Sequence, residues 1–172
     1  MNESFLSLKR SEADEVFDDA RRQAFIEKVI GHLVHRRVEL LPFEQVRERL
    51  GLLSRRDRGL QEIPLDRIVG SVGKYRQFTR SFLPNDKRVK RRWKSVYAGA
   101  LGARGLPPID VYQVGEIYFV NDGNHRVSVA HQLGAKTIEA YVTEFFSPVA
   151  LTVDGDLDRP IREPGSDCSR GI

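Results

Sequence analysis

Cysteine, methionine and tryptophan each occur once in this chain of 172 residues, and no apolar run approaches the roughly 18 residues of a membrane span. The single cysteine, Cys168, excludes an intrachain disulfide and a zinc site built from cysteines. Its polar surroundings mark it as a bystander thiol. The four scattered histidines have no zinc-like spacing either. The first ten residues lack a basic start followed by an apolar core and a small-residue cleavage site, so no secretory signal is read and a cytoplasmic location is the expectation. No membrane association and no internal repeat are expected.

With 40% hydrophobic and 30% charged residues, the composition is that of a soluble globular protein with one core and appendages. The net charge of +4 is unevenly spread. Residues 1–60 carry 12 basic and 11 acidic side chains, residues 61–105 carry 11 and 3, and residues 106–172 carry 5 and 10. A positive field concentrated in the middle third attracts polyanions, either nucleotide phosphates or a nucleic-acid backbone.

Apolar residues at Phe17, Ala20, Ala24, Val29 and Leu33 predict an amphipathic helix from an N-cap at Ser11 to about His35. A short second helix follows, with Pro42 in its first turn, Phe43, Val46 and Leu50 on one face, and Gly51 at its stop. Residues 1–60 read as a helical arm, a packing or dimerisation hairpin rather than a helix-turn-helix. Ser54–Arg58 reads as a basic loop, and Glu62–Val69, which carries Pro64, as a short edge strand. Gly70–Arg76 contains two further glycines but lacks P-loop spacing.

Lys87–Leu101 gives the clearest helix, with Val89, Trp93, Val96, Tyr97, Ala100 and Leu101 on one face and Trp93 as a core anchor. Lys87, Arg88, Lys90, Arg91, Arg92 and Lys94 occupy the remaining arc, which is either a solvated face or, through Lys87, Arg88, Lys90, Arg91 and Lys94, a nucleic-acid contact. A hairpin is predicted from Ile109–Val114, a turn at Gly115-Glu116, and Ile117–Val120. The next segment reads as a glycine turn and a helix from about Asn124 to Leu133, in preference to a third hairpin strand. Thr137–Thr143 closes the sheet, and residues 146–172 read as a flexible polar tail.

Function concentrates at the turn. A helix that starts on a tight glycine turn points unpaired N–H groups and its positive dipole end at one spot, where an anion belongs. His125 and Arg126 add donors in the first turn, and Asp122 could brace the turn or hold a magnesium ion beside a phosphate. The alternative is that Asp122 or Asn124 merely caps the helix and that His125 and Arg126 are solvated.

The stretch Tyr118-Phe119-Val120-Asn121-Asp122-Gly123-Asn124-His125-Arg126, running on through Val127, Ala130, Leu133 and Gly134 into Ile138–Val142, resembles the ParB/sulfiredoxin superfamily. The upstream strand Ile63–Val69 and the strand Pro108-Ile109-Asp110-Val111 fit the same order. The resemblance implies an α+β fold, a small mixed-sheet domain over residues 61–145, and phosphate binding by Gly123, Asn124, His125 and Arg126 with Gly73, Tyr75 and Arg76 facing them. It further implies a nucleoside triphosphate or diphosphate with magnesium as cofactor. Asn124 stands where sulfiredoxins carry their reactive cysteine, which excludes sulfinic acid reduction. The residues after Glu144 are too few and too polar for the helical domain of a partition protein.

The leading expectation is a ParB-like nucleotide-binding module acting on or with nucleic acid, with magnesium-dependent hydrolysis of a nucleotide or phosphodiester. His125 would move the proton, Arg126 would stabilise charge and Asp122 would hold the metal. The first alternative is a small-molecule kinase of the serine type using ATP or ADP. Its base is not found in Gly70–Arg76, which leaves Asp66 or Glu62. The second is a non-catalytic scaffold, a homodimer through the N-terminal helices.

Overall fold

A computed structural model of the chain describes residues 3–34, 37–147 and 151. The fold is α+β. Helix α1 (Glu3–Leu33) is followed by a two-residue strand β1 (Leu41–Pro42) and helix α2 (Phe43–Leu50). Strands β2 (Arg55–Pro64) and β3 (Ile68–Ser71) flank a 3-10 turn at Leu65–Arg67. A 3-10 turn at Lys87–Val89 leads into α3 (Lys90–Ala100), and then come β4 (Ile109–Val114), β5 (Ile117–Asp122), α4 (Asn124–Gln132) and β6 (Thr137–Phe145).

The strands form one mixed sheet in the order β1-β3-β5-β4-β6-β2. β4 and β5 make the expected antiparallel hairpin around Gly115, which has φ 60°. β6 joins β4 in parallel on the side away from β5, so that β5 and β6, joined through α4, run in opposite directions with β4 between them. Alternation along the strands sends side chains to two cores. Val111, Val120, Ala140 and Val142 meet α1, α3 and α4 on one face, where Phe17, Trp93 and Val127 are fully buried. Val114, Ile117, Phe119 and Phe145 meet Phe43 and Leu50 of α2 on the other.

Several local expectations are corrected. α1 begins at Glu3 and runs straight through Ser11, which is exposed and caps nothing. Its end at Leu33 leaves His35 outside the described residues. α1 and α2 do not form a hairpin with each other. Phe17 of α1 packs edge-on against Trp93 of α3 at 5.5 Å, whereas Phe43 of α2 packs against Phe119 and Phe145 across the sheet. The helical arm is therefore built into both cores. The basic loop Ser54–Arg58 is instead largely strand, and the boundary expected at residues 60 and 61 falls inside β2. β2 pairs with β6 from Arg55–Phe145 to Pro64–Thr137, with a register shift between Asp57 and Gly59. It lies at the sheet edge and is exposed over most of its length, so no apolar alternation announced it.

The tail is also anchored at one point. Leu151 is buried, its carbonyl accepts from the Glu116 N–H at 2.9 Å, and a Cβ on Gly115 would lie 2.8 Å from that oxygen. Residues 152–172, with Cys168, lie outside the described residues. No described helix is long and apolar enough to cross a membrane. One surface stands out on α1. Around Glu15, Asp18, Asp19 and Arg22 its outer face is charged, but Phe25, Ile26, Val29, Ile30, Leu33 and Val34 at its C-terminal end are all exposed.

Candidate functional site

β5 delivers the chain to the start of α4 through Gly123, whose φ of 113° is open only to glycine at low cost. A Cβ there would lie 2.5 Å from Ile109 Cγ2 and 3.2 Å from Arg126 Nε. Glycine is thus required twice, for its dihedral and for the approach of β4. Because the N-cap is glycine, no side chain satisfies the first turn of α4, and its leading N–H groups have no intrahelical partners.

Those N–H groups open beside a cleft of about 40 Å³ lined by Lys74, Arg92, Val96 and residues 121–126. Such a volume suits a few waters or one phosphoryl-sized group and excludes a nucleoside. Asn124 is 4% exposed and His125 is 7% exposed, yet Asn124 Oδ1 and His125 Nε2 are buried without any hydrogen-bond partner. Two adjacent orphaned polar atoms are costly, of order 1–3 kcal/mol each, unless a ligand or water supplies the missing bonds. A half turn of the Asn124 amide exchanges Oδ1 and Nδ2, so this residue can present either an acceptor or a donor.

The electrostatics are one-sided. Burial, and then the positive charges of Arg92 and Lys74, hold the His125 imidazole down to about 4, against the opposing pull of Asp122. His125 is neutral near pH 7 and packs edge-on to Phe78 at 5.3 Å. Neutrality leaves it one N–H donor and one basic nitrogen. An arriving anion would offset the two cations and raise its proton affinity.

Arg126 has a different part from the one its position suggested. Its Nη2 donates to Asp122 Oδ2 at 2.6 Å, and its Nη1 donates to the Pro108 carbonyl and, at 3.3 Å, to that of Pro107. The guanidinium ties the turn to the segment before β4, and its fork is committed. Lys74 and Arg92 are the cations that lean into the cleft without such ties. Of the first loop, Lys74 lines the cleft, while Gly73, Tyr75 and Arg76 do not. Gly73 has φ 79° in open space, Tyr75 packs on the core, and the Arg76 guanidinium lies over the Tyr75 ring at 5.7 Å. Sequence reasoning missed Lys74 and Arg92 as site residues. The only signal was the local excess of basic residues, which does not say which of them turn inward.

The remaining assigned residues separate. Glu62 accepts from Thr137 Oγ1 on the outer strands, and Asp66 acts on His131, near the far end of α4. Neither lines the cleft, so the kinase base expected from them is not at this site. Lys87, Arg88, Lys90, Arg91 and Lys94 lie together away from it, along the groove between α3 and α1. Among the described residues no three His, Cys, Asp or Glu side chains gather as a metal site. Asp122 remains compatible with magnesium, which commonly takes one or two carboxylates and fills its shell with phosphate oxygens and water.

No family model matches the chain, and no curated protein is similar to it. Among solved structures the crystal structure of sulfiredoxin from Arabidopsis thaliana is similar, at 24% identity over 51% of this chain and 86% of that one, with a TM-score of 0.39.

Proposed function

We propose that this chain binds a phosphate group of a nucleotide in the cleft at the start of α4, and that hydrolysis of a bond to that phosphate is the activity to seek. The observation that carries the reading is the pair of buried, unpartnered atoms, Asn124 Oδ1 and His125 Nε2, beside the uncapped first turn of α4 and beneath Lys74 and Arg92. Helix N–H groups and two cations supply what a phosphate needs. The resemblance at Tyr118–Arg126 supports a nucleotide as the bearer of that phosphate, with its base and sugar outside the cleft. Asp122 would hold magnesium, which supplies charge neutralisation when bound. Neutral His125 can accept a proton from an attacking water, while Lys74 and Arg92 offset charge on the phosphate oxygens.

The test is a calorimetric and thermal-shift titration with inorganic phosphate, ATP, ADP, CTP and GTP, each with and without magnesium. Saturable binding by at least one, weakened tenfold or more in Lys74→Gln/Arg92→Gln, is expected. At a hundredfold excess over Kd it would stabilise the fold by about 2.7 kcal/mol. Absence of binding by all five, or unchanged affinity in the variant, would overturn the reading.

A second reading, assembly through α1, is favoured by the exposed apolar stripe from Phe25 to Val34. Its spacing reads the same in both directions about the midpoint between Val29 and Ile30. An antiparallel twofold would therefore set Phe25 against Val34, Ile26 against Leu33 and Val29 against Ile30, the self-complementarity an isologous dimer requires. Light scattering should show a dimer for the intact chain and a monomer for Val29→Glu/Leu33→Glu. A monomer at all concentrations would remove this reading.

A further inference from the structure

We propose that the groove between α1 and α3 is a second anion site, which holds the phosphate backbone of a nucleic acid without reading its bases. It is separate from the cleft and does not depend on the reading given to that site.

The groove encloses about 960 Å³ on the side of α3 that faces α1. Between the charged residues it is lined by small side chains, Ala13 on α1 and Ser95 and Ala98 on α3. Cations stand on both walls. Lys9 and Arg10 come from α1, and Lys87, Arg88, Lys90, Arg91 and Lys94 come from α3 and the turn before it, against Asp14 as the single lining carboxylate.

These cations are not equivalent. Lys90 Nζ lies 3.1 Å from Asp14 and 3.0 Å from Asp18, Lys94 Nζ lies 2.5 Å from Asp14, and Arg88 is held by Asp86 at 2.6 Å. The bonds from both lysines hold the Asp14 carboxyl below the usual carboxylate range. Lys90 and Lys94 thus fasten α1 to α3 and fix the width of the groove. Arg10, Lys87 and Arg91 are exposed and have no acidic partner among the described residues. Lys87 and Arg91 are four residues apart, neighbours about 5–6 Å apart where the helix is regular. Arg10 stands on the other wall toward the Ala98 end of the groove, because α1 and α3 run antiparallel, with Lys90 at Asp14 and Asp18 and Tyr97 at Glu12.

A rigid groove with free positive charge on both walls is complementary to a polymer that carries a negative charge at every unit. None of the lining side chains is aromatic, so there is no platform for stacking bases, and the groove lacks carboxamides for paired reading of base edges. The contact is therefore with phosphates.

The experiment is fluorescence anisotropy of the full chain with a labelled 20-base-pair DNA duplex and the matching single strand, in 50–200 mM salt. Three free cations predict a slope of log affinity against log salt of about −2.7, so that duplex binding is roughly 40-fold weaker at 200 mM than at 50 mM, with scrambled duplexes bound alike. Arg10→Glu/Lys87→Glu/Arg91→Glu should abolish binding. Lys87→Gln/Arg91→Gln, which leaves the interhelix ion pairs intact, should reduce the slope to about −1 without changing the emission of Trp93. The cleft variant Lys74→Gln/Arg92→Gln should retain duplex binding in excess of half. Failure of the intact chain to bind either nucleic acid at 50 mM salt would overturn the proposal. So would unchanged affinity in both groove variants, or binding of poly-glutamate without binding of DNA. Loss in the cleft variant alone would assign the DNA contact to the cleft instead.

Discussion

Arg91 and Arg92 are adjacent on α3, yet Arg92 reaches the cleft over α4 while Arg91 reaches the groove against α1. In the cleft the polar partners, Asn124 and His125, are buried and unsatisfied, so each missing bond is paid in full in a medium that screens little. In the groove the lysines are partly exposed and matched by Asp14 and Asp18, and water screens what remains. The same residue type does two kinds of work. Two cations beside a desolvated imidazole can organise one small anion, whereas three exposed cations along a groove attract a long one without holding any single phosphate tightly.

The contrast breaks most severely at Gly123. Gly123→Ala puts a methyl group 2.5 Å from Ile109 Cγ2 at φ 113°, and a loss of about 2 kcal/mol or more is expected from strain and displaced packing. Phosphate binding should be lost with it. Gly73→Ala is the matched control, because Gly73 also has positive φ but nothing within 4 Å, and its cost should stay near 1 kcal/mol with phosphate affinity unchanged. Urea denaturation of the two variants separates them. Equal losses would mean that the close approach of β4 to the turn carries no weight.

A pH series on His125 sharpens the same comparison. Its value in the fold, about 4, lies below the 6.5 of a free imidazole, so protons bind the unfolded chain more tightly. Stability is full above pH 6.5 and falls as pH drops from 6.5 to 4, by up to about 3 kcal/mol. His131, also lowered by burial, acts in the same direction and is present in both proteins compared, as are the carboxylates. His125→Asn should therefore flatten only the His125 share of the fall. If wild type and variant track each other across this window, His125 is not desolvated as described. Saturating phosphate should narrow the difference, because the anion offsets Arg92 and Lys74.

The elements that could be read from the sequence are those whose apolar period is set by a buried face. α3 with Trp93 on its core side, the β4–β5 hairpin, the glycine turn with α4, and β6 all lie where their patterns placed them. The strand at Arg55–Pro64 could not be read, because an edge strand exposed over most of its length has no alternation to show. The start of α1 was misplaced because Ser11 is as compatible with a helix interior facing water as with a cap.

For the site, the sequence by itself determined the turn: Asp122, Gly123, Asn124 and His125 are contiguous, and a glycine before a helix start brings them together through local backbone geometry alone. Only the tertiary structure decided what surrounds it. Lys74 and Arg92 arrive from a loop and a helix far along the chain. Arg126 is drawn away to the Pro107 and Pro108 carbonyls, and Lys90 and Lys94 are drawn to acids more than 70 residues distant in sequence. Local order follows from short-range sterics and hydrogen bonding, which the sequence spells out. The partner of a long charged side chain depends on which elements pack beside it, and that is settled only when the two cores close on either face of the sheet.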